Sequence, residues 1–265
     1  MRAANGPCPF DECDGSGFVV DREAFTTREC RCRPQRLAAA KAHKLSAVIP
    51  RKYARVSFDT PPVTQIDPGV VSEVRRYSDD VDARLDEGRG LWLMGDVGTG
   101  KTTLAMLVSR EARLRGHSVA IYSLPRLLSE LRKTFDESAD LSYLQLLDGL
   151  IGVDLLHIDD VGAEKTSDWV LEQLYAIVNG RYEDERAIVL TTNLDPPALE
   201  QQIGERTVSR LLEMCGDPLP LFGEDQRKHN LDPGGHEPPP APERWEPPAR
   251  YGEAGAAVNW PDRAA

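Results

Sequence analysis

Eight consecutive residues, Gly95, Asp96, Val97, Gly98, Thr99, Gly100, Lys101 and Thr102, follow the pattern G-x-x-x-x-G-K-[ST]. Glycines at these positions let the main chain wrap close to a polyphosphate, so that successive N–H groups point inward at the anion. The apolar run 91–94 precedes the motif and a helical pattern over 102–115 follows it, which supplies the strand and the helix N-terminus that this chemistry needs. In such a loop Lys101 neutralises the β- and γ-phosphates and the Thr102 hydroxyl coordinates Mg²⁺. Thr103, next in the helix, is assigned to the same nucleotide site. The ligand implied is ATP with Mg²⁺.

Two further sets of residues could complete phosphate chemistry. The run Leu155-Leu156-His157-Ile158-Asp159-Asp160 reads as an apolar strand ending in two acids, about 60 residues after the loop. A strand interior cannot hold carboxylates, but the edge beside a phosphate loop can. Asp159 would then order the Mg²⁺ shell, and Asp160 would orient or deprotonate an attacking water. Asn193, after Leu190-Thr191-Thr192, could hydrogen-bond the γ-phosphate or that water; in isolation such an Asn is a turn residue. Arg206 and Arg210 lie four apart on one helix face. An arginine supplied by a neighbouring subunit stabilises charge on a transferring phosphate; the alternative is two solvated arginines.

Four of the five cysteines, Cys8, Cys13, Cys30 and Cys32, crowd the N-terminus with Gly15 and Gly17 between them. Four soft thiolates suit tetrahedral Zn²⁺, and a structural metal would replace a core that so short a module cannot build. The spacings x₄ and x₁ depart from the commoner C-x₂-C, and four reduced, unliganded thiols are the alternative. Cys215 stands alone in an apolar helix and reads as core.

The elements that must carry these residues can be read from periodicity. Helical spacing covers 70–85 and ends at Gly88 and Gly90. Strands are expected at 91–94, 118–122, 154–158, 187–191 and 219–222. Helices are expected at 102–115, 125–135, 143–150, 167–182, 197–202 and 205–214. That alternation predicts an α/β fold, a parallel sheet covered by helices on both faces. The expected divisions are a Cys-rich zinc module at 1–35, a basic helix and linker at 36–69, the ATPase domain at 70–228 and a disordered Pro-rich tail at 229–265.

Net charge is −11, which excludes a wholly basic nucleic-acid-coating protein. Residues 28–55 nevertheless hold nine Lys/Arg and one acid, a stretch that could meet phosphates, meet an acidic partner, or simply be a solvated helix face. No apolar run reaches the roughly 20 residues of a membrane span, and the start lacks a signal pattern, so no membrane association and a cytoplasmic location are expected.

Together, the residues 95–102, the stretch 155–164 with Asp-Asp-Val-Gly-Ala-Glu, Thr191–Asn193 written as Thr-Thr-Asn, and Gly-Glu-Arg…Ser-Arg at 204–210 resemble the AAA+ ATPases. Within that class they are similar to DnaC/DnaI-type replicative helicase loaders and to the related IstB-like transposition helper ATPases, over roughly residues 50–228. The resemblance implies a P-loop AAA+ core. Lys101 and Thr102 take the Walker A roles, and Asp159 and Asp160 the Walker B roles. Asn193 takes the sensor role, Arg206 that of the arginine finger, and Arg210 that of a second arginine of its helix. The chain turns Pro-rich soon after Phe222, so the helical lid of most AAA+ proteins is not expected. By resemblance, Arg132, Phe135, Ser167 and Trp169 are candidate contacts to single-stranded DNA, cations meeting phosphates and rings stacking on bases; for Phe135 and Trp169 the alternative is ordinary core. The resemblance further implies self-oligomers with ATP between subunits, a hexameric replicative helicase as partner of the N-terminal module, and weak, DNA-stimulated hydrolysis. A transposition helper is the alternative. A small-molecule P-loop kinase is the reading from another class; it needs an arginine-rich lid and an acceptor pocket, and the sequence identifies neither.

Overall fold

The computed structural model of the chain describes residues 8, 10–21, 25–33, 45, 48–136, 141–223 and 225. Most of the expected basic helix, at the start of the 36–69 segment, and all of the tail at 229–265 lie outside the described residues.

Five strands form one parallel sheet: β3 (Leu91–Gly95), β4 (Val119–Ser123), β5 (Leu155–Val161), β6 (Ala187–Thr192) and β7 (Leu219–Leu221). Their spatial order is β4-β5-β6-β3-β7, so the strand that feeds the phosphate loop lies between β6 and β7. Side chains alternate across a strand, and the alternation fills two cores. Leu91, Leu93, Val119, Ile121, Leu155, Ala187 and Val189 face α1 (Pro68–Asp79), α2 (Val81–Asp86) and α3 (Lys101–Leu114). Trp92, Met94, Ala120, Tyr122, Leu156, Ile158, Ile188 and Leu190 face the other layer. That layer comprises α4 (Leu124–Lys133), α5 (Tyr143–Gly152), α6 (Asp168–Glu183), α7 (Pro196–Ile203) and α8 (Glu205–Cys215). A sheet buried on both faces explains why its strands read as continuous apolar runs. No described helix is long and apolar enough to cross a membrane.

Several expectations need correction. The single helix over 70–85 is two helices that meet at Asp80, whose backbone (φ −97°, ψ 16°) leaves the helical region. The first begins earlier than read, with Asp67 accepting from the Val70 amide at 3.0 Å and Pro68 in the first turn. The stretch at 51–69 is more than a linker: Val63 and Ile66 are buried in the core beside α1 and α3. β5 runs on through Asp159 and Asp160 rather than ending before them. α4 stops at Lys133, which leaves Phe135 in the turn beyond it.

The cysteine-rich segment contains an element that the sequence reading did not anticipate. β1 (Phe18–Asp21) and β2 (Thr26–Glu29) pair as an antiparallel hairpin, from Phe18 opposite Glu29 to Asp21 opposite Thr26. Its small cluster of Cys8, Cys13, Val19, Cys30 and Cys32 is separate from the two sheet cores.

Candidate nucleotide and metal sites

Parallel pairing brings the C-terminal ends of β3, β5 and β6 to one edge of the sheet. Met94 lies opposite Thr192, and Thr192 lies opposite Val161. The phosphate loop leaves this edge at Gly95, whose φ of 133° and closeness to β7 admit only glycine: an added Cβ would stand 2.0 Å from the Leu221 carbonyl oxygen. Gly100 (φ 102°) precedes α3 directly, and Ile66 presses on it so closely that a Cβ would meet its Cδ1 at 2.3 Å. Two side chains hold the loop shut on itself. Thr99 Oγ1 donates to the Asp96 carbonyl at 2.9 Å. Lys101, only 7% exposed, donates from Nζ to the Gly95 carbonyl at 2.8 Å and to that of Asp96. The Asp96 carboxylate in turn accepts from the Gly223 amide at 3.1 Å, tying the chain after β7 to the loop. A buried ammonium at the start of a helix, inside a loop with three glycines at positive φ, is the cradle that a polyphosphate fits.

The two acids are aimed differently by one irregularity. Period two puts Leu155, His157 and Asp159 on the face that packs against α3, the helix that begins with Lys101 and Thr102. Between Ile158 and Val161 the register with β6 shifts, and Asp160 adopts φ 65°. A bulge with a left-handed non-glycine residue is strained, and such strain concentrates where a side chain must be re-aimed. Asp160 is exposed, and its Oδ1 accepts from Asn193 Nδ2 at 3.1 Å. Thr191 fixes the turn from both sides: its Oγ1 donates to Asp159 Oδ1 at 2.7 Å and accepts from the Asp160 amide at 2.9 Å.

Behind Asp159 lies a polar pair within the core. His157 is fully buried, with Nδ1 2.9 Å from Ser109 Oγ of α3 and Nε2 4.0 Å from Asp159 Oδ1. Burial pulls the imidazole down to about 4, against a smaller upward pull from Asp159.

The arginines and the DNA candidates part company in the fold. Arg206 is exposed near the start of α8, free of the packing that holds its helix to the sheet. Arg210, grouped with it by spacing, is committed within its own chain. It donates to Tyr175 Oη at 3.2 Å and lies 5.2 Å from the ring centres of both Tyr175 and Tyr182. Ser167 caps α6 by accepting from the Val170 amide at 3.4 Å. Trp169 is half-buried against the core with the Arg132 guanidinium 4.9 Å over its ring. Phe135 is 64% exposed and stacks on Tyr143 at 5.8 Å.

Spacing did not single out Thr191, His157, Ser109 or Tyr143. A threonine facing inward at the end of β6 and a histidine inside an apolar strand were the available signals.

The four N-terminal sulfurs lie within 4.8 Å of one another, with Cys8–Cys30 at 3.7 Å and Cys13–Cys32 at 3.5 Å. Tetrahedral zinc with bonds of about 2.3 Å sets its sulfurs roughly 3.8 Å apart, so the donor set fits. Burial raises the Cys8 thiol, but the amides of Phe10, Glu12 and Cys13 outweigh it and bring it down to about 6. The Cys32 amide lowers Cys30, but burial and the neighbouring thiols push it up to about 12. Thiols this close oppose one another's ionisation, a conflict that a divalent cation removes. Glu12 steadies the module from outside, accepting from Arg31 Nε at 2.8 Å.

A parallel sheet of this order, with a phosphate loop, paired acids and an asparagine along one edge, defines a P-loop protein of the AAA+ type. Residues 16–214 match the family described as IstB-like ATP binding protein, and the chain belongs to that family. It is 32% identical over 141 residues to the replicative helicase loader DnaC of Escherichia coli (strain K12), covering 53% of this chain and 56% of that protein. Its identity to the replicative helicase loader DnaC of Buchnera aphidicola subsp. Acyrthosiphon pisum (strain APS) is 27% over 177 residues, 64% of this chain and 71% of that one. The chain thus spans little more than half the length of the first of these relatives. Among solved structures the fold is similar to a DnaC helicase loader, with TM-score 0.55, 24% identity, and coverage of 66% of this chain and 100% of that one. It is also similar to DnaI, with TM-score 0.51, 22% identity, and coverage of 65% and 94%.

Proposed function

We propose that the chain is an ATP-hydrolysing switch that places a replicative helicase on single-stranded DNA. The observation that carries the reading is the gathering of the phosphate loop, Asp159, Asp160 and Asn193 along one sheet edge, in a chain whose relatives include replicative helicase loaders.

The loop amides and Lys101 bind the phosphates, and Thr102 with Asp159 holds the divalent cation, which would neutralise charge on the transferring phosphoryl group. Asp160, aimed outward by its bulge and oriented by Asn193, positions a water and takes its proton. Aspartate is shorter than glutamate and reaches less far, which suits slow turnover. Arg206 reaches the site of a neighbouring copy, and ATP stands between subunits. The Cys module holds Zn²⁺ and grips the helicase, while Arg132, Phe135 and Trp169 contact the DNA strand. The family match supports a second reading in the same class, a transposition helper acting on duplex DNA.

The test uses the full chain. Wild type should bind ATP with magnesium, hydrolyse it faster with single-stranded DNA, and retain a hexameric replicative helicase on a column. Lys101→Ala should weaken ATP binding on the order of 10- to 100-fold, as expected for losing a charge-assisted contact. Capture of a transposase in place of the helicase would favour the second reading. Failure to bind ATP at all would end both.

A further inference from the structure

We propose that Ser109 and His157 form a positioning pair for Asp159, in which the imidazole presents Nε2–H to the carboxylate and so fixes which oxygen faces the divalent cation. The inference rests on the ATPase reading, because Asp159 matters only if a cation is held there.

Ser109 has one hydroxyl proton and two acceptors in reach: the Ala105 carbonyl at 2.9 Å and His157 Nδ1 at 2.9 Å. A neutral imidazole also has one ring proton. Two arrangements are therefore open. In the first, Ser109 donates to Ala105 and accepts from Nδ1–H, which leaves Nε2 as a bare lone pair. That lone pair would be buried, would have no hydrogen-bond partner, and would face Asp159 Oδ1 at 4.0 Å. Two acceptors facing each other in a dry interior repel. In the second, Ser109 turns its proton to Nδ1 and the ring proton moves to Nε2. The same 4.0 Å gap then separates a donor from a carboxylate, an attraction that a small shift of either group tightens. The Ala105 carbonyl gives up only a supplementary bond, because the α3 helix ladder can still serve it.

The second arrangement has a directional consequence. Thr191 Oγ1 already donates to Asp159 Oδ1 at 2.7 Å. His157 Nε2 approaches that same oxygen. Both donors converge on Oδ1, so the carboxylate plane is set and Oδ2 is the oxygen presented to a cation. Ser109 belongs to α3, whose first turn carries Lys101 and Thr102. The pair thus ties the cation carboxylate of β5 to the helix that binds phosphate.

The first measurement reads the imidazole tautomer directly in nucleotide-free wild type by ¹⁵N NMR. An Nε2–H tautomer is expected, and an Nδ1–H tautomer overturns the proposal. The second uses Mn²⁺ as the probe, titrated by EPR into the ATP-loaded protein. His157→Asn keeps an amide near Nδ1 but nothing at Nε2, whereas His157→Gln reaches the Nε2 position. Mn²⁺ affinity should fall roughly 10-fold in His157→Asn, in line with the loss of an outer-shell partner, and return in His157→Gln. ATP affinity without metal should stay unchanged in both. Equal Mn²⁺ affinity in wild type and His157→Asn overturns the pair. If the Asn variant does not fold, the wild-type tautomer alone decides. Absence of ATP binding by wild type would instead strike the ATPase reading, and the tautomer would still report whether Ser109 and His157 are arranged as inferred.

Discussion

Asp159, Asp160 and Thr191 form a three-way knot: one hydroxyl donates to the first acid and receives the amide of the second. Neither acid could be placed by strand geometry alone, since period two would send them to opposite faces. The bulge brings Asp160 out to Asn193 while Asp159 stays against α3. His157 behind them has a consequence for stability. An imidazole in an unfolded chain titrates near 6.5, and burial lowers this one to about 4. Below about 6.5 the unfolded chain therefore takes up a proton that the folded chain refuses. The neutral ring's contribution is fully present above that pH and is lost as pH falls toward about 4. Between pH 7 and pH 5 the loss should be about 2 kcal/mol in urea denaturation of the nucleotide-free protein. His157→Gln should remove that part of the pH dependence. A variant profile parallel to that of wild type would show that the ring is not buried neutral.

The helices and strands are locked together by a buried cation as well as by apolar contact. Arg181 of α6 is fully buried and donates from Nη1 to the Leu150 and Ile151 carbonyls at 2.6 and 2.9 Å, near the end of α5. Its Nη2 donates to the Asp154 carbonyl at 3.2 Å, before β5, and to that of Ala187 at the start of β6. The last carbonyls of a helix lack partners within it and carry partial negative charge, so a guanidinium there satisfies both. Arg181→Met, close in volume, should cost about 3 kcal/mol or more because carbonyls would be left dry. Arg181→Lys should recover only part, since a point donor cannot span the fork. The guanidinium chloride midpoint at unchanged slope is the readout. A Met variant as stable as wild type would mean that water enters and serves those carbonyls.

Taken whole, the molecule has two kinds of core. The sheet buries apolar side chains on both faces. Among the described residues, the hairpin of β1 and β2 gathers only Val19 around its four thiols. So few apolar contacts do little to offset ordering entropy, and a metal bound by the four thiols would supply the difference. Purified protein should carry about one zinc per chain. Removing it with a strong chelator should collapse amide-exchange protection across the hairpin of β1 and β2 while the thermal melt of the sheet domain stays in place. Protection that survives metal removal would argue for packing in place of ligation.

The phosphate loop, the order of strands and helices, the two acids and the Asn after β6 were all legible from residue order. Glycine conformations, helix starts and period-two burial are local properties, and each is written into a few adjacent residues. The break at Asp80 and the running-on of β5 were not legible, because backbone φ at one residue depends on what packs around it. Nor could spacing separate Arg206 from Arg210. Both lie on one face of α8, but only the second meets Tyr175 and Tyr182, which come from a helix some 30 residues earlier in the chain. The pairing of Ser109 with His157, 48 residues apart, and of four thiols across a hairpin likewise arises only when distant segments meet. The sequence by itself determined which chemistry the chain carries, since main-chain geometry and residue type are enough for that. Tertiary structure decided where each group points and what it touches, because long-range packing alone chooses among a side chain's partners.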